Sequence, residues 1–305
     1  MLEQKPSNHA HLIAVDWGTS SFRARIIGAQ GDIIDSVSTD EGILKASPNF
    51  ETVLFTHLSQ LQGYSAELPI VMSGMIGSKN GWLEIPYTSL PCDANTLAKN
   101  MLEVPNSQNA KILLIPGVNK TGKSPDVIRG EETEIIGAIS ALSLTNASMI
   151  ITGTHSKVAS IRNKKMVDFK SFLTGEMFHA LCQSTILGAF KGSVDSQSIW
   201  FRQGAEQGFD SRHGGQLLNH IFLSRTKVLC GDMPQEYAMS FLSGILIGAE
   251  IGASSYQDET VWIMGNGKLP QAYASALEHL GFNFKMVPDN TVIQGTLAIF
   301  NQYKG

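Results

Sequence analysis

Two segments of the chain repeat one pattern of hydrophobic and polar positions. The first runs from Leu12 to Ile27 and the second from Met149 to Ile161. In each, an apolar run is followed by glycine and hydroxyl residues and then by a second apolar or β-branched stretch. This order predicts a buried strand, a tight turn and a returning strand, which together form a β-hairpin. A Gly-Thr hairpin turn that binds nothing would produce the same pattern.

The two predicted turns carry groups that can hold phosphates, because backbone N–H groups and short hydroxyls in a tight turn can face an anion. The residues concerned are Gly18, Thr19 and Ser20 in the first turn and Thr152, Gly153 and Thr154 in the second. Asp16 ends the first strand, where its carboxylate could bridge Mg²⁺ to a phosphate. One such hairpin in each half of the chain predicts a clamp on the phosphates of a single nucleotide.

The rest of the pattern predicts strands alternating with helices, which is typical of α/β layers. A helix is expected over 53–61, and buried strands are expected over 68–73 and 111–117. The segment Gly74–Tyr87 is too rich in glycine for regular structure and is interpreted as a substrate-lining loop. The polar stretch Asn119–Pro125 is the best candidate for a linker.

Carboxylates cluster at the start of a predicted helix that begins near Gly130, at Glu131, Glu132 and Glu134. Acidic residues in a first helical turn are favoured by the helix dipole, so capping alone explains them. Their position just before the second hairpin also allows a carboxylate to act as a base toward an acceptor hydroxyl. The sequence by itself leaves both interpretations open.

The C-terminal region has the order strand, glycine turn, helix, strand, helix. The strand covers 260–264, the turn contains Gly265, Asn266 and Gly267, and the later elements cover 270–280, 281–287 and 291–302. Such a turn leaves room for a flat ring against the backbone. A further helix over 242–251 carries small residues at close spacing, which predicts tight helix packing, with Glu250 as a structural partner.

Length, composition and charge narrow the class of protein. With 305 residues, 43% of them hydrophobic and 16% charged, the chain can form two globular domains. A net charge of −4 gives no basic surface for nucleic acid. The N-terminus resembles no signal peptide and no run is long enough to span a membrane, so a cytoplasmic protein is expected. Cys92, Cys182 and Cys230 match no zinc spacing and are expected to be reduced core residues.

The order of these elements resembles the superfamily of sugar kinases, heat-shock chaperones and actin over nearly the whole chain. Six strings also resemble one family within it, the 2-dehydro-3-deoxygalactonokinases. They are Asp16-Trp-Gly18, Gly74-Met-Ile-Gly-Ser78 with Gly81-Trp82, Arg129-Gly-Glu-Glu-Thr133, Gly153-Thr-His-Ser-Lys157, Leu173-Thr-Gly-Glu176 and the segment from Phe241 to Glu250.

The resemblance implies an α/β fold of two ribonuclease H-like (actin-like ATPase) domains with a nucleotide cleft between them. The domains would cover 1–125 and 126–305, and the last helix could pack back on the first domain. The implied reaction is ATP-dependent phosphorylation of the terminal hydroxyl of 2-dehydro-3-deoxy-D-galactonate in galactonate breakdown. Mg²⁺ would assist it, and a homodimer is left open.

The resemblance also implies residue roles. Asp16 would hold Mg²⁺, and the two hairpin turns would contact the phosphates. The catalytic base would be Glu131 by analogy with glycerol-type and xylulose-type kinases, or Glu132 by analogy with polyphosphate phosphatases. Gly265, Asn266 and Gly267 would seat the adenosine. The implied substrate-binding residues are Gly74, Met75, Ser78, Trp82, Arg129 and Lys157.

Two other functions share this set of motifs. A polyphosphatase-like hydrolase would use Glu132 to place a water molecule where a kinase seats a sugar hydroxyl. A non-enzymatic, actin-like nucleotide switch would use the same phosphate clamp without any acceptor. The loop Gly74–Tyr87 argues against the switch, because a glycine- and aromatic-lined pocket suits a small acid better than a protein partner. The hydrolase stays open. The sequence leaves the galacto or gluco epimer of the substrate open.

Overall fold

The computed structural model describes residues 9–190, 192–254, 256 and 260–304. Contacts between residues divide the chain into two compact units. The first comprises the described residues of Met1–Thr145, Asn163–Val167 and Pro288–Gly305, and the second those of Asn146–Arg162 and Asp168–Val287. Most of the N-terminal segment over 1–10, which was examined for a signal peptide, lies outside the described residues. Within them, no helix has the length and hydrophobicity needed to cross a membrane.

The first unit is built mainly on one mixed sheet. Its strands are β1 (Ala10–Trp17), β2 (Phe22–Gly28), β3 (Ile33–Thr39), β4 (Ile70–Ser73), β5 (Thr88–Ser89), β6 (Leu102–Glu103), β7 (Ile112–Leu114), β8 (Val118–Lys120) and β9 (Asp126–Ile128). Its first helices are α1 (Ile43–Ala46), α2 (Phe50–Leu58), α3 (Ala94–Lys99) and α4 (Glu131–Ala141). The main sheet has the order β3-β2-β1-β4-β7-β6, and a small sheet has the order β5-β8-β9.

The first predicted hairpin is confirmed, since β1 and β2 pair antiparallel with Asp16 opposite Arg23. β1 also pairs with β4 in parallel, which places Asp16 opposite Ser73. Trp17 and Phe22, on either side of the turn, are fully buried and meet edge to face with ring centroids 4.8 Å apart. Burial of these large apolar surfaces fixes the base of the turn.

The predicted linker at Asn119–Pro125 is wrong. β8 and β9 form an antiparallel hairpin in which Lys120 pairs with Asp126, so the polar stretch is the end and turn of that hairpin inside the first unit. Hairpin turns and linkers favour the same glycine, serine and proline residues, and composition therefore does not separate them.

The second unit contains the second predicted hairpin, which is also confirmed. Its sheet has the order β12-β11-β10-β13-β14. The strands are β10 (Ala147–Ile151), β11 (Ser156–Arg162), β12 (Lys165–Phe172), β13 (Thr260–Met264) and β14 (Asn283–Met286), and the first three residues of β12 are grouped with the first unit. Its helices are α5 (Thr174–Ser184), α6 (Ile199–Asp210), α7 (Leu217–Leu229), α8 (Ala238–Ala253) and α9 (Leu269–His279). The hairpin pairs β10 with β11 and places Ile151 opposite Lys157.

The chain returns to the first unit with α10 (Thr291–Phe300). A Cβ at Gly137 of α4 would lie 1.8 Å from the Thr291 carbonyl oxygen, and one at Gly295 would lie 1.8 Å from that of Thr133. Only glycine lets these two helix backbones touch. Through this packing α4 belongs to the first unit, which extends to Thr145 and so beyond the predicted domain boundary at residue 125.

The helix expected over 242–251 is part of α8, and it packs tightly on α6 as predicted. Glycines line the crossing on both helices at Gly204, Gly208, Gly244 and Gly248. The cysteine prediction is only partly right. Cys92 is buried, but Cys182 is half-buried and Cys230 is exposed, because it follows the last turn of α7 on the surface.

Candidate active site

In the first unit, Asp16 stands at the carboxyl end of β1 beside the turn to β2. Its Oδ2 lies 3.0 Å from Nη1 of Arg23, and 24% of its side chain is exposed. The Gly18 N–H donates to the Ser21 carbonyl oxygen at 2.9 Å and closes the turn. Thr19 and Ser20 are exposed at the tip of the turn. The turn therefore presents two hydroxyl side chains near a carboxylate.

Two glycines bring the start of α4 close to Asp16. Gly74 has φ +93°, and a Cβ there would lie 2.8 Å from the Trp17 carbonyl oxygen and 3.5 Å from Oδ1 of Asp16. Gly130, with φ +108°, is close enough that its Cβ would lie 3.4 Å from the Gly74 Cα. Residues that carry a side chain rarely adopt backbone conformations with such positive φ angles, so glycine is required at both positions. The acidic start of α4 is thereby placed near the carboxyl end of β1.

Glu131 and Glu132 occupy different environments. The Glu132 side chain is fully buried, its Oε2 accepts from the Gly130 N–H at 2.6 Å, and its Oε1 accepts from the Thr133 hydroxyl at 3.0 Å. Burial raises the pKa of Glu132 to about 7. Glu131 is only partly buried, and its Oε2 accepts from the Arg129 N–H at 3.1 Å. Glu132 therefore acts as an internal cap for the helix start, while Glu131 retains access to solvent.

Glu134 belongs to the same acidic group, although no specific role was predicted for it. It follows Glu131 by three positions, a spacing that places both side chains on one helix face. Burial and the negative charges of Asp16 and Glu131 raise the pKa of Glu134 to about 7. The three-residue spacing was the sequence signal that could have identified it.

The buried Glu132 should make stability depend on pH. The pKa of Glu132 is raised from an ordinary 4.5 to about 7 in the folded state, which means that the folded protein favours the protonated carboxyl group. Protonated Glu132 therefore contributes its full stabilisation of the fold below the unfolded pKa, and this contribution is lost as pH rises through about 7. Between about pH 5 and about pH 8, we expect the unfolding free energy of the wild type to fall by ~2–3 kcal/mol more than that of Glu132→Gln. Denaturant titrations check this, with the exposed Glu84→Gln as control. Equal pH slopes for Glu132→Gln and the wild type would contradict it.

Arg129 precedes α4 and is the main cation near the glycine-rich loop. Its guanidinium lies over the Tyr87 ring with Cζ 4.3 Å from the ring centroid, and its Nη2 donates to the Ile85 carbonyl oxygen at 3.0 Å. Nε and Nη1 of Arg129 and Oγ of Ser78 are buried without a hydrogen-bond partner in the described part of the chain. Unpaired buried donors are costly, and an anionic ligand would satisfy them.

The remaining residues predicted to bind substrate divide into two groups. Met75 and Trp82 lie in the glycine-rich loop, where both pack partly buried against the core of the first unit. Lys157 lies in the second unit on β11, where it is 8% exposed and its Nζ donates to the His155 carbonyl oxygen at 2.8 Å. Lys157 therefore lies beside the second predicted phosphate turn, in a different unit from the glycine-rich loop and Arg129.

The second unit places its two predicted nucleotide turns side by side. The Thr152 N–H and hydroxyl both donate to the Met264 carbonyl oxygen, at 2.8 Å and 3.2 Å. This oxygen immediately precedes the turn Gly265–Gly267. Gly153 and Thr154 form the tip of the hairpin, where the Thr154 carbonyl accepts from the Glu176 N–H at 3.0 Å. The backbone at the start of α5 is thus hydrogen-bonded to the second predicted phosphate turn.

A mostly apolar cavity of about 600 Å³ opens beside these turns within the second unit. Its walls come from the start of α5, one face of α8, the start of α9 and the segment before α6. The lining residues are Thr174, Gly175, Phe178, Ser193, Val194, Ser196, Ser243, Leu246, Ile247, Gly267, Lys268, Leu269, Gln271 and Ala272. Of the predicted adenosine turn, Gly267 lines the cavity, while Gly265 and Asn266 do not. The size and lining suit a planar organic group such as a purine base.

These two α/β units, each with a β-hairpin beside its site residues, define the chain as a protein of the actin-like ATPase and sugar kinase fold. A family model described as 2-keto-3-deoxy-galactonokinase matches residues 16–299. The chain belongs to the 2-keto-3-deoxy-galactonokinase family, and it is a carbohydrate kinase with ATP as co-substrate.

Named relatives agree with this assignment. The probable 2-dehydro-3-deoxygalactonokinase of Rhizobium meliloti (strain 1021) is 32% identical over 291 residues, covering 93% of this chain and 94% of the relative. The 2-dehydro-3-deoxygalactonokinase of Escherichia coli (strain K12) is 28% identical over 93% of this chain and 95% of its own. A crystal structure from Sinorhizobium meliloti, named as a candidate 2-dehydro-3-deoxygalactonokinase, has a TM-score of 0.87 and 32% identity, covering 94% of this chain and 97% of that one.

Proposed function

We propose that the protein transfers the γ-phosphoryl group of ATP to the terminal C6 hydroxyl of 2-dehydro-3-deoxy-D-galactonate. The product is 2-dehydro-3-deoxy-6-phospho-D-galactonate, an intermediate of galactonate catabolism, and the reaction takes place in the cytoplasm. The observation that carries the proposal is the family match over residues 16–299, which spans every site residue described above. The hydrolase and the actin-like switch are not favoured by it.

Glu131 is the proposed base toward the acceptor hydroxyl. It is the partly exposed member of the pair at the head of α4, whereas both oxygens of Glu132 accept hydrogen bonds inside the fold. A carboxylate that remains accessible can accept the proton of the acceptor hydroxyl as the phosphoryl group is transferred. The role of Glu132 is then to hold Gly130 and the first turn of α4 in place.

The residues near Asp16 fit Mg²⁺. Asp16 and Glu134 are hard oxygen donors, and the charge of Asp16 contributes to the raised pKa of Glu134, so a cation would relieve their repulsion. Within the described ranges, no group of three or more His, Cys, Asp or Glu side chains is arranged to hold a metal. That agrees with the usual mode of Mg²⁺, which binds one or two carboxylates together with phosphates and water. Bound Mg²⁺ would neutralise charge that develops on the transferred phosphoryl group.

The proposed nucleotide-binding residues form two groups, one in each unit. In the first unit, Gly18, Thr19 and Ser20 offer turn N–H groups and hydroxyls to phosphate oxygens. In the second unit, Thr152, Gly153 and Thr154 offer a similar turn, and the adjacent cavity beside Gly267 takes the adenosine. The buried Lys157 at the base of the second turn adds a positive charge there.

Arg129 is the proposed partner of the substrate carboxylate, with Ser78 as a second donor. Its two unpaired guanidinium nitrogens lie beside the glycine-rich loop, and arginine is suited to carboxylate recognition. Gly74, Met75 and Trp82 complete the proposed sugar-acid site. Lys157 is the weaker candidate for the carboxylate, because its ammonium group is turned toward the second phosphate turn.

An assay of ADP release tests the reaction class. ADP release that requires the galactonate-derived keto acid supports the kinase, and a 6-phosphorylated product identified by mass spectrometry fixes the acceptor position. Release without the acid would indicate a hydrolase. ATP binding without release under either condition would indicate a switch. The gluco epimer, tested in parallel, measures preference at the single carbon that differs.

Arg129→Lys should weaken sugar-acid binding selectively. Lysine keeps the charge but loses the planar set of donors and the stacking on Tyr87. We expect the KM for the sugar acid to rise by a factor of about 10–100 while the KM for ATP changes by less than about threefold. Steady-state kinetics measure both constants, and Arg202→Lys, at a half-buried arginine of α6 in the second unit, is the matched control. An unchanged KM for the sugar acid would remove Arg129 from the carboxylate site.

A further inference from the structure

Glu250 is a buried carboxylate of α8 that joins three elements of the second unit. It is 2% exposed, and its Oε2 accepts hydrogen bonds from the hydroxyls of Ser156 at 2.6 Å and Tyr273 at 2.7 Å. The Thr174 hydroxyl donates to the same oxygen. The second oxygen, Oε1, is buried without a hydrogen-bond partner in the described part of the chain.

Each of the three hydroxyls comes from a segment that shapes the proposed nucleotide site. Ser156 is the first residue of β11, directly after the phosphate turn. Thr174 begins α5 and lines the cavity, and the same helix start holds the phosphate turn through the hydrogen bond from the Glu176 N–H to the Thr154 carbonyl. Tyr273 lies on α9, whose first residues form another wall of the cavity.

Burying a carboxylate at this position costs free energy, because the group loses its hydration. Burial raises the pKa of Glu250, and the three hydroxyl donors lower it only in part. An apolar side chain of similar volume would avoid the cost of burying a polar group. An apolar side chain, however, could not accept hydrogen bonds from three hydroxyls on three separate segments.

We propose that Glu250 is a positioning residue for ATP, because it locks the phosphate turn, the start of α5 and α9 into one arrangement around the nucleotide. This inference rests on the proposed kinase function and adds a residue that touches neither substrate. Its effect should be confined to the nucleotide, since every segment that it holds belongs to the second unit and Arg129 and Glu131 belong to the first.

The test compares Glu250→Met with Glu250→Gln. Methionine removes the shared acceptor, and we expect the Kd and KM for ATP to rise by a factor of about 10 or more while the KM for the sugar acid stays within about threefold. Glutamine keeps one acceptor oxygen and should restore most of the ATP affinity. Calorimetry with ATP measures Kd without catalysis. Glu206→Met, on the exposed face of α6, is the matched control.

If Glu250→Met does not fold, a more conservative variant provides the test. Tyr273→Phe removes one of the three donors and should raise the Kd for ATP by a factor of about 3–10, whereas Tyr64→Phe in the first unit should not change it. A Kd for ATP within twofold of wild type in Glu250→Met, or in Tyr273→Phe if the former is unfolded, would overturn the inference. A parallel loss of sugar-acid affinity would also overturn it, by indicating general structural damage. A wild-type protein that binds no ATP would overturn the proposed function as well.

Discussion

Asp16→Asn should lower turnover by several orders of magnitude while the fold stays intact. Asparagine keeps the volume of the side chain but removes the negative charge that would bridge Mg²⁺ to the protein at the γ-phosphate. Asp16 is partly exposed and its ion-pair partner Arg23 is 43% exposed, so neutralising Asp16 leaves the Arg23 charge in contact with solvent. We therefore expect the loss in kcat without a comparable loss in thermal stability.

The measurement is the steady-state rate at saturating Mg²⁺, with circular dichroism to confirm folding. Asp40→Asn is the control, because Asp40 is an exposed aspartate of the first unit whose partner is Lys45 on the surface. It should leave the rate unchanged. Retention of more than about a tenth of the wild-type rate by Asp16→Asn would rule out the metal-bridging role.

Glu131→Gln should reduce turnover by a factor of about 10² to 10⁴, with the Michaelis constants for ATP and sugar acid within a few-fold of wild type. Glutamine preserves shape and hydrogen bonding but cannot accept the proton of the acceptor hydroxyl. Glu132→Gln should lose markedly less activity, because its side chain is enclosed and its oxygens cap the helix.

Comparing the activity losses of Glu131→Gln and Glu132→Gln shows which of the two neighbouring glutamates is the base. Losses in the reverse order would favour the polyphosphatase-like alignment, in which Glu132 is the functional residue. Glu134→Gln belongs in the same series. A loss at Glu134 that high Mg²⁺ partly restores would indicate a metal ligand. If neither Glu131→Gln nor Glu132→Gln slows the reaction, the base lies outside the helix start.

The strands and turns that carry phosphate-binding residues could be predicted from sequence because their signals are local. The apolar run before Asp16 and the run before Thr152 each form a strand whose partner follows within a few residues. The strand before the turn at Gly265 was also predicted from its apolar run, although its parallel partners, β10 and β14, lie farther away in the sequence. Two short-range properties carry these predictions: runs of apolar residues that are buried in strands, and glycine at turns. Because both depend on neighbouring residues, they can be read from the sequence and are found again in the fold.

Features that depend on distant packing could not be predicted. The assignment of α4 to the first unit depends on glycines 137 and 295, which are far apart in sequence and meet only in the fold. The helices between 174 and 229 were not predicted. One of them, α5, has no fully buried residue, and its apolar side chains pack only partly against the core. The cavity walls that those helices supply were therefore missed as well.

The contact between α4 and α10 also bears on how the protein is synthesised. The first unit is assembled from three separate stretches of chain, and its last helix, Thr291–Phe300, follows the whole second unit in the sequence. While the ribosome adds residues 146–287, the face of α4 that carries Gly137 has no α10 to pack against. The second unit can therefore complete its sheet before α10 is made, whereas the unit that carries Asp16 and Glu131 cannot complete its packing. Co-translational folding of the first unit would then wait for synthesis of the second.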